Sequence, residues 1–366
     1  MTAVRIREIR ARELRIPFKT SFRHASADRA ETSTIWVEAV SADGMTGYGE
    51  SCPRPYVTGE TTDSALSFVA AHRADVLRRI EDLPSMQGWM SEHAGAIDEH
   101  PAAWCALELA LLDLFGRSGR MAVDALLGLP PPRGPFRFSA IVGDASPETC
   151  AVVIEQYRAR GFTDFKIKLS GDLQRDRAKI DIVRNIPGVR VRADANNLWT
   201  DADEAIAFLR LLDYPLFAVE EPVGAGRYAA LAAVAEALSC RIVLDESLLR
   251  GAQLAHLPGP PDCWVVNVRV SKMGGLLRSL EVVRRARAAG LGIIVGAQVG
   301  ETSVLTRVAL SVAMSAGSSL VAQEGAFGTH LLHYDVCDPP VMFGPAGHLD
   351  GSAFADAPGF GLAIVA

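Results

Sequence analysis

The spacing of hydrophobic and polar positions changes near residue 136. Beyond it, short β-rich runs alternate with segments whose apolar residues recur at helical spacing. Repeated strand–helix units form a parallel sheet, and eight of them in roughly 190 residues indicate a closed (β/α)8-type barrel of the α/β class rather than an open sheet. The eight runs are 136–142, 164–169, 189–194, 215–220, 241–245, 263–268, 291–296 and 319–324.

The residues before this point follow a different pattern. Two alternating runs, a Gly-containing turn in SADGMTGYGE and two helical patterns predict a three-stranded sheet followed by helices. The runs and helical patterns lie at 4–15, 34–41, 61–80 and 101–117. The proline-rich segment LGLPPPRGPF marks a linker. We therefore expect an α+β domain over 1–130 and a barrel over 131–344, with the tail 345–366 returning to the first domain.

Composition excludes several classes of partner. The chain has 366 residues, 49% hydrophobic and 22% charged, with a net charge of −6, which is typical of a soluble protein without a basic face for nucleic acid. No run approaches the ~18 apolar residues of a membrane span, and the amino terminus lacks the apolar core of a signal peptide. The six cysteines include no CxxC pair, as in reduced cytoplasmic proteins. We expect a cytoplasmic homo-oligomer that binds a small molecule, with neither nucleic acid nor a membrane as partner.

Three carboxylates end successive strand-like runs: Asp194, Glu220 and Asp245. In a parallel barrel the carboxyl ends of the strands meet at one face, where three carboxylates would repel one another unless a cation neutralised them. Oxygen ligands favour a hard ion, Mg²⁺ or Mn²⁺, over zinc or copper. The alternative is that each residue caps the helix that follows it, which explains one such position more readily than three.

Three lysines flank these carboxylates. Lys166 and Lys168 alternate along one run, so both face the barrel interior while their apolar neighbours face the helices. Two ammonium groups beside each other and a metal would lower each other's pKa, and a lysine with a lowered pKa can act as a general base. Lys272 ends the sixth unit, across the barrel from the second. A base on each side of a carbon acid permits removal of a proton on one side and its return on the other.

Other polar residues near the strand ends are candidates for substrate contacts. Asn196 follows a proposed ligand and could hold substrate or form the turn. Glu301 and Glu324 lie near the ends of the last two strands, where they bind or polarise substrate or cap a helix. Alternation along the strand turns Glu221 and Glu246 away from the ion.

Five motifs together resemble the enolase superfamily, specifically its muconate lactonizing enzyme subgroup: FKIKL, RADANNLW, FAVEEP, VLDES and VSKMGG. The helical segment AAWCALELALLDLFGR is similar to a capping-domain helix of that family. The resemblance implies a (β/α)7β barrel with an α+β capping domain and Mg²⁺-dependent removal of the α-proton of a carboxylate through an enediolate. IIVGAQVGETS contains no histidine, which argues against the mandelate racemase branch.

The same resemblance implies roles for individual residues. Asp194, Glu220 and Asp245 correspond to the magnesium ligands. Lys168 and Lys272 correspond to the acid/base pair, and Lys166 supports Lys168.

The substrate is suggested by two loops and by the eighth strand. PRPYVTGET and TSFRHAS resemble loops of dipeptide epimerases, which implies Arg23, Tyr56 and Thr58 as substrate contacts. Dipeptide epimerases carry Asp-x-Asp at the end of the eighth strand to hold the substrate ammonium, and this chain has Gln323 and Glu324 there. The segment QEGAFGTHLL is similar to muconate cycloisomerases. Arg269 replaces a lysine that is common in the sixth strand of the family. We expect it to lie at a distance from the reacting atoms.

The leading hypothesis is a racemase or epimerase of an amino-acid derivative, either an N-acyl amino acid or a dipeptide. The alternatives in the same superfamily are a muconate-type cycloisomerase and a dehydratase. A Schiff-base aldolase is a more distant alternative, because a desolvated lysine on a barrel strand also suits imine formation. A binding protein that kept the fold without catalysis is a further class.

Overall fold

The N-terminal domain begins with two antiparallel sheets. The computed structural model describes residues 3–24 and 27–365, without the side chains of residues 21–28. The strands of this domain are β1 (Ile6–Leu14), β2 (Pro17–His24), β3 (Ala27–Glu31), β4 (Thr34–Ser41) and β5 (Thr46–Ser51). A three-stranded sheet has the order β1-β4-β5, and β2 pairs with β3 as a separate hairpin. The alternating pattern predicts the first sheet, whereas the hairpin lies in a segment for which no strand was predicted.

Helices cover this sheet. They are α1 (Thr62–Arg79), α2 (Leu83–Glu92), α3 (Ala94–Glu99), α4 (Pro101–Ser118) and α5 (Val123–Leu126). Helix α4 is the core of the domain, because every residue from Pro101 to Gly116 is buried. Two glycines of β5 allow this helix to lie directly on the strand, since a Cβ atom at Gly47 would lie 2.3 Å from the carbonyl oxygen of Ala110.

The second half of the chain is a parallel barrel. Its strands and the preceding short strand are β6 (Pro135–Arg137), β7 (Ala140–Val142), β8 (Asp164–Lys168), β9 (Arg190–Asp194), β10 (Ala218–Glu220), β11 (Arg241–Leu244), β12 (Trp264–Val268), β13 (Gly292–Val295) and β14 (Leu320–Gln323). Strands β7 to β14 are hydrogen-bonded in chain order. The N–H of Ser139, beside β7, donates to the carbonyl of Gln323 on β14 at 2.8 Å, so the first and last strands are neighbours. The predicted eight-stranded barrel is confirmed.

The first predicted strand is divided in the structure. Phe136 belongs to β6, which pairs antiparallel with the late strand β15 (His348–Asp350) instead of joining the barrel. The N–H of Phe138 donates to the carbonyl of Gly347, and barrel pairing starts only at Ala140. A pairing partner more than 200 residues away is not visible in a local pattern.

Helices surround the barrel. They are α6 (Pro147–Ala159), α7 (Leu173–Arg184), α8 (Ala202–Leu211), α9 (Tyr228–Leu238), α10 (Val270–Met273), α11 (Leu276–Ala288) and α12 (Ser303–Ala316). The connection from β11 to β12 contains two 3₁₀ turns, Gly251–His256 and Pro261–Cys263. Among the helices of residues 3–24 and 27–365, none combines the length and apolar content that a bilayer crossing requires.

A small apolar core fills the lower part of the barrel interior. It consists of Ala218, Val243, Val265, Ile294 and Ala322. Because side chains alternate along a strand, the residues two places further along these strands point into the same interior at its upper end. The inward positions above the apolar core therefore carry the polar side chains.

The C-terminal tail lies against the N-terminal domain. The N–H of Phe360 donates to Oδ1 of Asp113 on α4 at 2.8 Å, and Arg117 donates to the carbonyl of Leu362 at 3.1 Å. Burial raises the pKa of Asp113, although Arg117 acts in the opposite direction.

Candidate active site

The charged residues predicted from the strand ends meet at one end of the barrel. We call this region the barrel mouth and define it by Lys168, Asp194, Glu220, Asp245 and Glu324. Asp194 is paired in register with both Lys168 and Glu220 on the neighbouring strands, and Asp245 follows β11 directly. The exposed fractions of Asp194, Glu220 and Asp245 are 0%, 1% and 1%. Parallel pairing thus buries all three carboxylates at one edge of the sheet.

Cationic side chains lie between these carboxylates. Nζ of Lys166 is 3.1 Å from Oδ2 of Asp194 and 2.8 Å from Oε2 of Glu220. Nη2 of Arg269 is 3.6 Å from Oε1 of Glu220 and forms an ion pair with Asp245. Charges of opposite sign therefore alternate across the mouth, which is how buried charges are tolerated.

Lys168 and Lys272, the proposed acid and base, lie at opposite ends of the row of carboxylates that runs from Asp194 through Glu220 to Asp245. Nζ of Lys168, on the second barrel strand, donates to Oδ2 of Asp194 at 2.8 Å and to Oδ1 of Asn196 at 2.7 Å. Lys272 lies on α10, directly after the sixth strand, and its Nζ donates to Oδ1 of Asp245 at 2.9 Å and to the carbonyl of Asn267 at 2.8 Å. The second and sixth of eight barrel strands are diametrically opposed.

The pKa of Lys166 moves opposite to the expectation. Burial lowers it, but the charges of Asp194, Glu220 and Glu324 raise it by more, so the pKa lies above its ordinary value. The predicted lowering considered only the neighbouring ammonium and a metal. The carboxylates around Lys166 dominate instead, which suits a residue that holds charge rather than releases a proton.

The direction in which the pKa of each carboxylate at the mouth is shifted depends on the charges nearest to it. Burial raises the pKa of Asp194, but Lys166 and Lys168 hold it below its ordinary value. Arg269 and Lys272 likewise outweigh burial and lower the pKa of Asp245. Burial, with the charge of Asp194 added, raises the pKa of Glu220 to about 8.

The oxygen atoms at the mouth match a hard divalent cation in donor chemistry, but cationic side chains lie between them. Oε2 of Glu220 and Oδ2 of Asp245 are buried, and each lies beside a cationic group without accepting a hydrogen bond of good geometry. Within the described residues no three His, Cys, Asp or Glu side chains surround one common point, and the nitrogen atoms of Lys166 and Arg269 lie between the carboxylates. The donor set, all carboxylate oxygens, is the one that magnesium prefers.

A cavity of about 100 Å³ lies at the mouth. Its lining combines both lysines of β8 with other charged and polar side chains and with apolar ones. Tyr56 reaches it from the N-terminal domain, and the remaining lining residues are Ile141, Lys166, Lys168, Asn196, Glu246, Arg269, Ala297, Gln298, Val299, Glu324, Gly325, Phe327 and Leu331. A concave site in which charged and polar groups converge beside apolar side chains is typical of small-molecule binding.

Three of the predicted substrate contacts lie on this cavity: Tyr56, Asn196 and Glu324. Asn196 holds Lys168 through its side-chain oxygen, and its backbone adopts φ of 45°. Glu324 is held by Lys166 and Arg192, whose charges outweigh burial and keep its pKa below the ordinary value.

The other predicted contacts are placed elsewhere. The hydroxyl of Thr58 donates to Oε2 of Glu60 at 2.9 Å, away from the cavity wall. Glu301 accepts the N–H of Gln298 at 2.6 Å, and burial raises its pKa to about 8. Arg23 lies outside the residues whose side chains the structure describes.

Two predictions about neighbouring residues are wrong. Arg269, expected at a distance from the reaction, lies on the cavity wall, pairs with Asp245 and donates to Gln298 at 3.1 Å. Glu246, expected to turn away, also lines the cavity. Regular strand pairing ends at Leu244, so alternation does not extend to Glu246.

Comparisons with known proteins identify the family. Residues 149–365 match the family model described as enolase C-terminal domain-like, and residues 1–128 match the mandelate racemase / muconate lactonizing enzyme N-terminal domain. The chain therefore belongs to the mandelate racemase/muconate lactonizing enzyme family of the enolase superfamily. It is an isomerase of that superfamily, as the motifs predict.

Epimerases and racemases are among the relatives that this chain resembles. An L-Lys-D/L-Arg epimerase of Methylococcus capsulatus is 30% identical over 85% of this chain and 87% of its own length. An N-succinyl-L-Arg/Lys racemase of Bacillus cereus is 24% identical over 85% of each chain.

A solved structure agrees with this placement. A dipeptide epimerase from Methylococcus capsulatus, complexed with Mg and the dipeptide L-Arg-D-Lys, is 27% identical and superposes with a TM-score of 0.83 over 98% of this chain and 99% of the other.

Proposed function

We propose that this chain racemises or epimerises the α-carbon of an amino-acid derivative, either an N-acyl amino acid or a dipeptide. The observation that supports it most directly is the position of Lys168 and Lys272 at opposite ends of one row of buried carboxylates. A base on each side of the substrate is what inversion of a carbon centre requires. The relatives above, all epimerases or racemases, favour this function over the cycloisomerase and dehydratase alternatives.

The two lysines exchange roles with the direction of the reaction. In one direction Lys168 takes the α-proton and Lys272 returns one to the opposite face; in the other direction the roles are reversed. Asp194 and Asn196 orient Lys168, while Asp245 and the carbonyl of Asn267 orient Lys272. The carboxylates around Lys166 raise its pKa, so Lys166 holds a positive charge beside Lys168 rather than acting as a base.

Asp194, Glu220 and Asp245 would hold Mg²⁺, or Mn²⁺ in its place. Bound there, the ion supplies positive charge beside the substrate carboxylate and stabilises the negative charge that proton removal leaves. Mg-bound relatives of this fold support the assignment. For the three carboxylates to meet one ion, the side chains of Lys166 and Arg269 must withdraw from between them.

The substrate is a small carboxylate that fits between Tyr56 and the mouth. Lys168 and Arg269 line the cavity beside the apolar side chains of Phe327 and Leu331. These residues fit a molecule with one charged end and one apolar end.

Isotope exchange tests the proposal. The enzyme with Mg²⁺ is incubated in D₂O with a panel of N-acetyl-L-amino acids and glycyl-L-amino acids, and loss of the α-proton signal is followed by NMR. We expect exchange together with formation of the opposite configuration for part of the panel. Lys168→Arg serves as the matched control, because it keeps the charge but cannot act as a base at neutral pH. Exchange by no compound, or undiminished formation of the opposite configuration by Lys168→Arg, would overturn the proposal.

Cytoplasmic location and homo-oligomeric assembly remain predictions. Cell fractionation would check the first, and sedimentation equilibrium of the purified protein would check the second.

A further inference from the structure

The helix that follows the second barrel strand carries a buried ion pair. The buried residues of α7 are Asp176, Lys179, Ile180 and Val183, so half of its buried positions are charged. Asp176 and Lys179 are both 0% exposed, and Nζ of Lys179 lies 2.7 Å from Oδ1 of Asp176. Apolar side chains would fill these two positions at a lower cost in desolvation, so the packing of α7 alone does not account for the pair.

The ammonium of Lys179 also binds the backbone of the proposed base. Its Nζ donates to the carbonyl oxygen of Lys168 at 2.6 Å. Strand β7 pairs with β8 only as far as Val142 opposite Ile167, one residue before Lys168. Lys179 therefore supplies a hydrogen-bond donor at the point where the ladder between these two strands ends.

The carboxylate of Asp176 holds the turn that follows Lys168. Both of its oxygens accept the N–H of Ser170 at 3.0 Å, and Oδ2 accepts the N–H of Gly171 at 3.1 Å. The hydroxyl of Ser170 donates to Oδ1 at 2.8 Å. One ion pair on α7 thus fixes the backbone from the carbonyl of Lys168 to the N–H of Gly171.

The two sides of Lys168 have different partners. Its side chain lines the cavity and donates to Asp194 and Asn196, whereas its carbonyl meets Lys179 on the surrounding helix. A flexible four-carbon stem separates Nζ of a lysine from its Cα, so a firmly held backbone limits the positions that Nζ can take. A displacement of about 1 Å between a base and the reacting carbon can lower the rate about 100-fold.

We propose that Lys179, paired with Asp176, is a positioning residue for Lys168. The pair fixes the backbone of this base from outside the barrel and supports proton transfer on one face of the α-carbon. Lys272, after the sixth strand, is held by Asp245 and the carbonyl of Asn267 instead, so proton transfer on the other face does not depend on the pair. This inference rests on the proposed function and adds a residue to it.

α-Proton exchange measured separately for each enantiomer tests the inference. The wild type, Lys179→Met and the double variant Asp176→Asn/Lys179→Met are incubated with Mg²⁺ in D₂O with the L or the D form of the compound that exchanges fastest in the panel above. Lys168→Ala identifies the enantiomer whose exchange requires Lys168. Both Lys179 variants should lower kcat for that enantiomer at least about tenfold relative to the other, with a smaller change in KM.

The double variant keeps the test valid if Lys179→Met fails to fold. Lys179→Met leaves the carboxylate of Asp176 buried without its cationic partner, which is strongly destabilising, whereas the double variant removes both charges. Circular dichroism verifies that each variant is folded before exchange is measured.

The control is a second buried ion pair that lies away from the barrel mouth. Arg307 on α12 pairs with Asp124 on α5 and donates to the carbonyl of Phe360 at 2.9 Å, and both charged residues are buried. The double variant Asp124→Asn/Arg307→Met removes this pair by the same two substitutions. It should leave the ratio of the exchange rates of the two enantiomers unchanged.

Two results would overturn the inference and leave the proposed function intact. One is a ratio in Asp176→Asn/Lys179→Met within about threefold of the wild-type ratio, which a purely structural role of the pair predicts. The other is the same selective loss in the Arg307 control, because any disturbance of the fold would then produce it. If the wild type exchanges neither enantiomer, the proposed function itself is wrong.

Discussion

The molecule buries carboxylates in two regions and compensates them in different ways. At the barrel mouth, Asp194 and Asp245 face lysine and arginine side chains. In the N-terminal domain, Glu50, Glu60 and Glu108 accept hydrogen bonds mainly from backbone N–H groups instead. We call this second group the capping glutamates.

Each capping glutamate covers the start of a helix. Glu60 accepts the N–H groups of Ala102 and Ala103 at the start of α4, at 2.8 and 2.9 Å. Glu108 accepts the N–H of Leu277 at the start of α11 at 3.0 Å, and Glu50 accepts that of Thr302 beside α12 at 2.9 Å. Helix N-termini present unpaired N–H groups and a partial positive charge, so a carboxylate stabilises them.

The two groups of carboxylates therefore have different roles: the capping glutamates stabilise the fold, and the carboxylates of the mouth serve the reaction. A carboxylate that caps a helix satisfies donors that the fold itself leaves unpaired. The mouth instead concentrates lysines and carboxylates that the fold does not require, at a cost in desolvation. Changes at the mouth should therefore remove reactivity and leave the fold, whereas changes at the capping glutamates should alter stability.

The largest effect is expected from the two lysines. Lys168→Ala and Lys272→Ala should each lower racemisation about 1,000-fold or more, because each removes a proton-transfer group. Circular dichroism and thermal melting should show a folded protein, since neither lysine caps a helix. A racemisation rate within about tenfold of the wild-type rate in either variant would contradict the assigned roles.

The next effect concerns the ion. Glu220→Gln removes one proposed ligand charge and should weaken Mg²⁺ binding, measured by isothermal titration calorimetry, at least about tenfold. Glu60→Gln, the same change at a capping glutamate, should leave Mg²⁺ affinity unaltered. If Glu220→Gln and Glu60→Gln bind Mg²⁺ with equal affinity, the ion does not bind at Glu220.

A pH-dependent effect is expected at the capping glutamates. Burial raises the pKa of Glu108 to about 7 from an ordinary value of 4.5. The folded state binds this proton more tightly than the unfolded state, so stability is fully present below the ordinary pKa and declines as pH rises to about 7. At ~1.4 kcal/mol per pKa unit, Glu108 contributes a decline of about 3 kcal/mol.

Glu108→Gln removes this contribution. Urea unfolding at pH 4.5 and pH 8 should show a smaller loss of stability in the variant than in the wild type. Glu50, whose pKa burial also raises to about 7, keeps part of the wild-type decline in both proteins. Parallel pH profiles for the two proteins would argue against a buried, proton-binding Glu108.

The smallest effect is expected from Glu60→Ala. It removes the cap of α4 and the partner of Thr58, and should lower the free energy of unfolding by about 1–2 kcal/mol. Because Tyr56 lies on the same loop, KM should rise while kcat changes little. A change in kcat as large as that of Lys168→Ala would remove the distinction between the two regions.

Much of the mouth is predictable from local patterns. Lys166 and Lys168 alternate on one strand, and carboxylates end successive strands one strand–helix unit apart. The same alternation places Arg192 two residues before Asp194 on the inward face, so the local pattern also indicates a buried arginine there.

Other features depend on contacts that no local pattern shows. The N–H partners of Glu50 and Glu108 are 252 and 169 residues away in sequence. Arg269 reaches the cavity only because β12 carries it to the mouth beside Asp245. The antiparallel pairing of β2 with β3 likewise gave no alternating hydrophobic signal.

The most direct test of the central claim resolves exchange by enantiomer. Lys168→Ala and Lys272→Ala are each incubated in D₂O with the L and the D form of the best substrate. Loss of the α-proton is followed by NMR, whether or not the configuration of the substrate is inverted. Two opposed bases predict that each variant still exchanges one enantiomer and fails with the other, and that the two variants fail with opposite enantiomers. If both variants lose exchange of the same enantiomer, the two lysines do not stand on opposite faces of the reacting carbon.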